Sequence, residues 1–392
     1  MKVIEMIAYW KKIIDDATHK PEYPFEGEWI SFGNLYPVKG LGGWETPVIA
    51  HEIAQYDPDR AKHLIIQYLK TSMNEDDGML AAKVVTKTDA LYPSTERGRI
   101  YKYSHPPVWN FIAKKIVENN WDEKFALFCF ESGLKNLKWW EENRKDRIGL
   151  YWYFDSFPDE KDSPESGYEH SPRWDFTELG PFPCIDLSCQ ILLYMESMIF
   201  FADKLNRKKE KSKITASYQE LKTVMTRYFW DEIVGAYCDY DLTGMNAKKT
   251  TASFWSLTSG LASADDAQRL VSLLENPEEF AGAKGIPAVS FSEPKFELDF
   301  WRGCMWPSET FWICVGLQRY GFNDLTVTIA KKCIENVYSV FKSTGKLWEF
   351  YNPVDGNMKT LRRKKSRQGP FPDYPASVPV ISLEKMITGE KI

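Results

Sequence analysis

The sequence predicts an all-α fold, an (α/α)6 toroid of six helical hairpins with long loops at one end and a few short strands. Three observations carry this prediction. Apolar residues recur at i, i+3 and i+4 through most of the 392 residues. Short and long connections alternate between the periodic segments. The long connections, at 18–43, 73–107, 147–183, 230–248, 276–306 and 343–375, hold most of the Gly, Pro, Trp and acidic residues. Six hairpins closed into a ring place these connections at one mouth. An open helical array is the alternative, and no repeat of about 33–45 residues marks a solenoid.

The first helix is expected over 2–17, where apolar residues alternate with charges at helical spacing. Helices over 44–56 and 58–72 follow, separated at Asp57-Pro58, an N-cap acceptor with proline at the first helical position. The next pair spans 108–119 and 122–146. Two prolines before Trp109 fix an extended entry into the first of them. Periodicity continues over 184–206, 212–229, 249–261 and 264–275. A helix over 307–321 begins at Pro307 and ends at Gly321, and Asn323-Asp324 is expected to cap the next, over 323–342. The last helix is expected over 376–389. Aromatic, partly alternating segments predict strands in GAYCDYD (235–241) and KLWEFYN (346–352). No strong linker interrupts the series, so residues 1–392 are expected to form a single domain.

Composition excludes several classes. Hydrophobic residues make up 43% of the chain, enough for a large core. The net charge is −5 with no basic stripe, so no nucleic-acid partner is expected. No run approaches the roughly 18 apolar residues of a membrane span, and the N-terminus lacks the apolar core of a signal peptide. Seven cysteines without a CxxC pair read as reduced thiols, which predicts a cytoplasmic protein. Five scattered histidines without metal-ligand spacing predict no metal. Aromatics reach 15%, with 15 Trp, which suits either stacking on sugar rings or a large helical core.

The long connections carry the candidate chemistry. LYPVKGLGGWETP (35–47) places three glycines, suited to close backbone approach, before Trp44 and Glu45 at a helix start. Glu45 is either an ordinary helix-start acid favoured by the dipole or a ligand-facing group. His105 in SHPPVWN either touches a ligand or serves the structure. GLYWYFDSFPDE (149–160) and ESGYEHSPRWD (165–175) bring Tyr151, Trp152, Tyr153, Phe154, Phe157, Tyr168 and Trp174 together, more aromatics than a solvated loop exposes. Gly167 and Pro172 keep the second stretch from forming a regular helix, and Glu169 lies at its centre. FWRGCMWPSETFW (300–312) offers Trp301, Arg302 and Trp306, and an arginine fork matches a carboxylate or paired hydroxyls. In LWEFYNPVDG (347–356), Glu349 sits between aromatics. Two carboxylates flanked by aromatics across a pocket fit glycoside hydrolysis, one protonating the leaving oxygen and the other activating water or attacking directly. Either glutamate taken alone reads first as a salt-bridge partner of Arg173 or Arg302. The basic loop KTLRRKKSRQGPFP (359–372) is either a solvated charge run or a site for an anionic substrate group, met by Arg362, Arg363, Lys364 or Lys365.

Taken in order, these segments resemble glycoside hydrolase family 63 and its trehalase-like relatives, which include mannosylglycerate and glucosylglycerate hydrolases. ESGYEHSPRWD is similar to that family's E-S-G-W-D-x-S-P-R-W-D, FWRGCMWP to Y-W-R-G-P-x-W-P, WET (44–46) to W-D-(S/T), and EFYNPVDG to E-x-Y-x-P-x-T-G. HPPV (105–108), CIDL (184–187) and DYPASVPVISLEKMI (373–387) extend the likeness from about 40 to 390. The resemblance implies an (α/α)6 barrel and an inverting, exo-acting α-glycosidase of a small glucoside or mannoside. It implies Glu169 as general acid and Glu349 as general base, with Trp44, Glu45, His105, Tyr168, Arg173, Trp174, Trp301, Arg302, Trp306 and Tyr351 around the substrate. No metal or organic cofactor is required. The sequence departs from the family at three positions: Glu replaces Asp at 45 and 169, and Tyr replaces Trp at 168. Longer acid stems imply a shifted sugar subsite. A sugar isomerase or epimerase, a non-catalytic carbohydrate-binding protein, and a lyase of uronic-acid substrates are the alternatives on the same barrel.

Overall fold

The computed structural model describes residues 2–32, 39–86, 99–100, 103–118, 120–156, 163–175, 181–241, 244–366, 368–390 and 392. Twelve α-helices lie among them: α1 (Lys2–Asp16), α2 (Glu45–Ala54), α3 (Pro58–Ser72), α4 (Trp109–Glu118), α5 (Glu123–Asn143), α6 (Ile185–Lys204), α7 (Lys208–Tyr228), α8 (Trp255–Thr258), α9 (Ala264–Glu275), α10 (Pro307–Arg319), α11 (Asn323–Thr344) and α12 (Val380–Thr388). The even-numbered helices close a ring. Each packs on the next, from α2 through α4, α6, α8 and α10 to α12, and α12 returns to α2. The odd-numbered helices form the outer layer, with α3 against α2 and α4, α5 against α4 and α6, α7 against α6, and α11 against α10 and α12. α1 packs on α11 and α12. This is the (α/α)6 barrel.

The two layers differ in sequence because they differ in how many faces they bury. Every residue of α2 from Glu45 to Ile53 is buried. α6 is apolar enough, by length and composition, to cross a membrane, yet most of it is buried inside the barrel. An inner-ring helix meets protein on all sides, so it reads as apolar throughout. α7 buries only Ile214, Leu221 and Met225, one stripe on a charged helix. α9 buries Ala267, Leu270, Val271 and Leu274, and a capping box between Ser263 and Asp266 starts it.

Ring closure rests on a buried polar contact. No side chain within its own segment caps α12; instead Glu52 of α2 accepts from the N–H groups of Ile381 at 2.8 Å and Ser382 at 3.1 Å. Burial pushes the Glu52 carboxyl up to about 7, against these hydrogen bonds. The carboxyl thus satisfies two of the orphan donors of the last helix from across the closing seam.

The expected elements differ from the structure in places. Asp57 caps α3 as expected, its side chain accepting from Arg60 N–H at 3.0 Å. Gly321 ends α10 in a left-handed conformation, but the position before α11 is Phe322, with no side-chain cap bond. The segment 249–261 holds a 3-10 turn (Thr251–Phe254) and a single turn of α8 rather than a full helix. Ser256 donates to Ser253 O and Thr258 to Trp312 O, so hydroxyls compete with helical bonding. α7 starts four residues early, on the helix-favouring KKEK run, and α12 starts late, after Pro379. The expected strand 235–241 splits, with 236–237 pairing 230–231 and 239–241 pairing 244–246. The expected strand 346–352 makes only isolated bridges, Trp348 with Pro372 and Tyr351 with Met305. Trp348 N–H is taken by the Tyr351 hydroxyl at 2.8 Å, which removes a ladder bond. A sheet formed by 40–42, 83–85 and 99–100 was not expected from the pattern.

Candidate active site

Each long connection enters the N-terminal end of an inner helix, so the connections meet at one mouth of the barrel. There they enclose a cavity of about 90 Å³. Trp44 and Glu45 reach it from the start of α2, Lys83 and His105 from the connection before α4, and Pro164, Ser166, Gly167, Tyr168 and Glu169 from that before α6. Phe300, Trp301, Trp306, Ser308 and Glu309 arrive at α10, and Glu349, Arg363, Tyr374, Ala376 and Ser377 before α12. Among the described residues, the connection before α8 contributes nothing.

One wall is aromatic. Trp301 and Trp306 stack at 3.9 Å with their planes 1° apart, and Tyr168 lies 4.5 Å from Trp301. Pro307 at the first helical position brings Trp306 to the mouth of α10. Phe300 holds a left-handed backbone (φ 53°), a conformation a bulky residue keeps only under external constraint. Its N–H donates to Arg362 O at 3.1 Å, and its carbonyl accepts from Trp306 Nε1 at 3.4 Å. Behind Trp44 lie Trp255 and Trp312, themselves 4.9 Å apart.

Four acidic side chains line the cavity, Glu45, Glu169, Glu309 and Glu349. Glu169 is half-buried and flanked by two left-handed residues, Gly167 (φ 74°) and His170 (φ 67°). Glycine takes that conformation freely, whereas His170 is held in it, its carbonyl accepting from Arg302 at 3.3 Å and its ring 3.6 Å from Asp299. Glu349 is nearly buried; its Oε2 accepts from Phe371 N–H at 3.3 Å and pairs with Arg363. The Arg363 guanidinium lies 4.2 Å from the Phe371 ring and 4.4 Å from that of Phe300, so aromatic faces as well as the carboxylate hold it. Glu45 accepts from the Tyr374 hydroxyl. Burial acts to raise the Glu45 carboxyl, but Lys83, His105, Tyr374 and its own backbone N–H outweigh it and hold the group below its ordinary value.

Of the residues expected around a substrate, Trp44, Glu45, His105, Tyr168, Trp301 and Trp306 line this cavity, as do Glu169 and Glu349. Four do not. Arg173 is fully buried between Asp186 and Asp239, with bonds of 2.6 and 3.0 Å to the first and 2.8 and 2.9 Å to the second. Trp174 donates to Tyr168 O at 3.0 Å and packs on Phe182. Arg302 grips Asp175 through both terminal nitrogens, at 2.7 and 3.1 Å, and holds His170 as above. Tyr351 spends its hydroxyl on Trp348 N–H and is fully buried. These four support the segments that carry Glu169 and Glu349 rather than the cavity surface. Neither arginine pairs with either of those glutamates; Arg363 does.

His105 reaches the cavity wall with Nδ1 accepting from Trp44 N–H at 3.1 Å, and the Pro164 carbonyl stands near its ring. Burial pushes it down to about 4, with Lys83 adding to the fall and Glu45 and Pro164 opposing it, so it is a neutral clamp joining three connections. The glycines before Trp44 make room for the protein itself rather than a ligand. A Cβ on Gly42 would fall 1.8 Å from Glu45 Oε2, and one on Gly43 would fall 2.9 Å from His105 Cβ. Of the other expected aromatics, Tyr153 bonds Gln190 at 2.6 Å, while Trp152 and Phe154 cover Arg144, which pairs with Glu165 at 2.8 Å. Tyr151 is fully buried in the core. Phe157 and residues 35–38 lie outside the described residues.

Sequence reasoning missed Lys83, Ser308, Glu309 and Tyr374 on the cavity wall. Lys83 sits in a short strand with no motif around it, and Glu309 reads as an ordinary first-turn acid. Among the described residues, Cys184, Asp186 and Asp239 form the one cluster with donor atoms close enough to share a metal ion. The guanidinium of Arg173 already lies against both of its carboxylates.

An aromatic-walled pocket with several carboxylates, set at the mouth of an (α/α)6 barrel, defines a carbohydrate-active protein. The chain belongs to the mannosylglycerate hydrolase MGH1-like glycoside hydrolase domain family, whose model matches residues 42–369, and it is a glycoside hydrolase. It is 23% identical over 397 residues to mannosylglycerate hydrolase MGH1 of Selaginella moellendorffii, covering 83% of this chain and 78% of the relative. In three dimensions it is similar to the GH63 mannosylglycerate hydrolase of Thermus thermophilus in complex with Tris and D-glycerate. The TM-score there is 0.75 at 19% identity, covering 96% of this chain and 98% of the other. It is also similar to neutral trehalase Nth1 of Saccharomyces cerevisiae, with a TM-score of 0.71 at 16% identity over 96% and 79% of the two chains.

Proposed function

We propose that this protein is an inverting, exo-acting α-glycosidase that cleaves a small anionic glucoside or mannoside, with Glu169 as general acid and Glu349 as general base. The observation that carries the reading is that these two glutamates, 180 residues apart by their numbers, reach one cavity from different connections with the Trp301–Trp306 stack beside them. In the proposed step, Glu169 gives its proton to the glycosidic oxygen as that bond to the anomeric carbon breaks. Glu349 takes a proton from water, whose oxygen bonds the opposite face of the same carbon, so configuration inverts. Inversion places the two carboxyl groups roughly 6.5–9.5 Å apart, with the water between. Arg363 supports the choice of an anionic substrate. It stands on the cavity wall against Glu349, where a substrate carboxylate can draw the guanidinium to itself and free Glu349 for water. A relative complexed with D-glycerate supports a glycerate aglycone. Ring closure from α2 to α12 supports one catalytic domain over 1–392, and seven free, buried cysteines support a cytoplasmic setting.

The test is a screen of α-glucosides, α-mannosides and their glycerate conjugates, with the released anomer read by NMR. Release of the β-anomer, abolished by Glu349→Gln, is the expected result. Retained configuration overturns the role of Glu349. No turnover with intact binding favours a carbohydrate-binding protein, and exchange of a carbon-bound proton in deuterated water favours an epimerase.

A further inference from the structure

Glu309 has no part in the mechanism above, yet it is built into the pocket. It lies in the first turn of α10, lines the cavity, and is only 3% exposed. The Tyr168 hydroxyl stands beside it. Trp255 Nε1 donates to that hydroxyl at 3.1 Å. An indole N–H can only donate, so the Tyr168 oxygen is the acceptor there and its own proton is left for the Glu309 side. Oε2 of Glu309 is buried with no hydrogen-bond partner. A buried carboxyl oxygen left unmet carries a desolvation cost, which a ligand in the cavity recovers by meeting it.

We propose that Glu309 is a specificity-determining residue that donates a hydrogen bond from Oε2 to one hydroxyl oxygen of the bound sugar. The proposal rests on the cavity being the sugar subsite, as above, and is independent of which glutamate acts as acid or base. Its directionality follows from burial: a carboxyl closed off from solvent with an unmet oxygen favours its neutral form, which carries a proton to donate. The charge state agrees with this. Burial pushes the Glu309 carboxyl up to about 8, the Tyr168 hydrogen bond and Arg173 opposing the rise and Asp186 adding to it. The other ionisable groups at the cavity include Glu45, Lys83, His105, Glu169 and Glu349, with Arg363 beside the last. A neutral acid is a single fixed donor, whereas a carboxylate only accepts. The sugar hydroxyl that meets Glu309 therefore accepts there and sends its own proton elsewhere. A sugar lacking that oxygen leaves the buried donor unmet, the situation in which sites discriminate most strongly.

The test uses D-glucose and D-mannose with each monodeoxy and monodeoxyfluoro analogue, titrated against the full-length protein by tryptophan fluorescence. The wild type is expected to bind the analogue deoxygenated at one position at least tenfold more weakly than the parent, with the fluoro analogue between them, because fluorine accepts but cannot donate. Glu309→Gln keeps a donor and is expected to retain that ranking. Glu309→Leu is expected to bind the parent sugar tenfold more weakly and lose the discrimination. Wild-type affinity falls as pH rises through about 8, whereas that of Glu309→Gln stays level. Hexose binding with unchanged deoxy discrimination in Glu309→Leu overturns the role of Glu309 alone. If no hexose binds the wild type, the sugar-subsite reading fails, and this proposal with it.

Discussion

Arg173→Ala tests how the site is held in place. The guanidinium makes four charge-assisted bonds of 2.6–3.0 Å to Asp186 and Asp239. Both aspartates are buried, 0% and 3% exposed. Removing the cation leaves two carboxylates facing each other without solvent, and breaking such a pair costs about 3–5 kcal/mol. The sign of its pH dependence follows from which form the core tolerates. Without Arg173 the folded state raises the pKa of both aspartates, so it binds protons more tightly than the unfolded chain. The penalty is therefore small below the unfolded carboxyl value of about 4, grows as pH rises from there, and is complete only above the raised folded values. Urea unfolding, followed by tryptophan fluorescence and far-UV circular dichroism at pH 4 and pH 8, measures it. A loss below about 1 kcal/mol at pH 8, or an equal loss at both pH values, would refute the reasoning. Arg173→Lys keeps the charge without the fork and should fall between wild type and Ala. Trp174 bonds Tyr168 beside Arg173, so any folded fraction of the Ala variant should also show a reduced kcat.

Glu52→Ala leaves the first N–H groups of α12 unmet at the ring seam and should destabilise the fold by roughly 2–4 kcal/mol, read from the same unfolding curves. Gly42→Ala drives a methyl into Glu45 Oε2. It should raise KM about tenfold, near 1.4 kcal/mol, with kcat much less affected, in a glycoside hydrolysis assay. His105, depressed to about 4 against an unfolded value near 6.5, binds fewer protons when folded, so its contribution is present above pH 6.5 and lost as pH falls through 4. A shift of that size is worth ~3 kcal/mol. NMR titration should show a neutral ring at pH 5.5, and a protonated one would contradict the clamp.

Much of the fold was legible because helical periodicity is local. Eleven of the twelve expected helices form where the apolar spacing puts them, the segment 249–261 keeping a single α-helical turn, and the long connections between them carry the cavity. The errors arose where side chains compete with backbone, as in the serine- and threonine-rich stretch before α9, or where strands of two or three residues pair across the chain. For the candidate site, the aromatic-flanked glutamates at 169 and 349 stood out by residue type, and both reach the cavity. The polar partners did not stand out. Arg173 and Arg302 looked free to meet a substrate, because nothing in their neighbourhood names Asp239, 66 residues away, or shows that Asp175 lies within reach.

By itself the sequence determined the class of fold, the connections that build the site, and which acids sit among aromatics. Tertiary structure alone decided which charged groups are used up inside the protein and which face the cavity. Glu45 meets Tyr374 across 329 residues, and Glu349 meets Arg363 rather than the arginines of the earlier motifs. Helix formation depends on residues three and four apart, whereas the partner of a buried charge is whichever opposite charge the closed ring brings within about 3 Å.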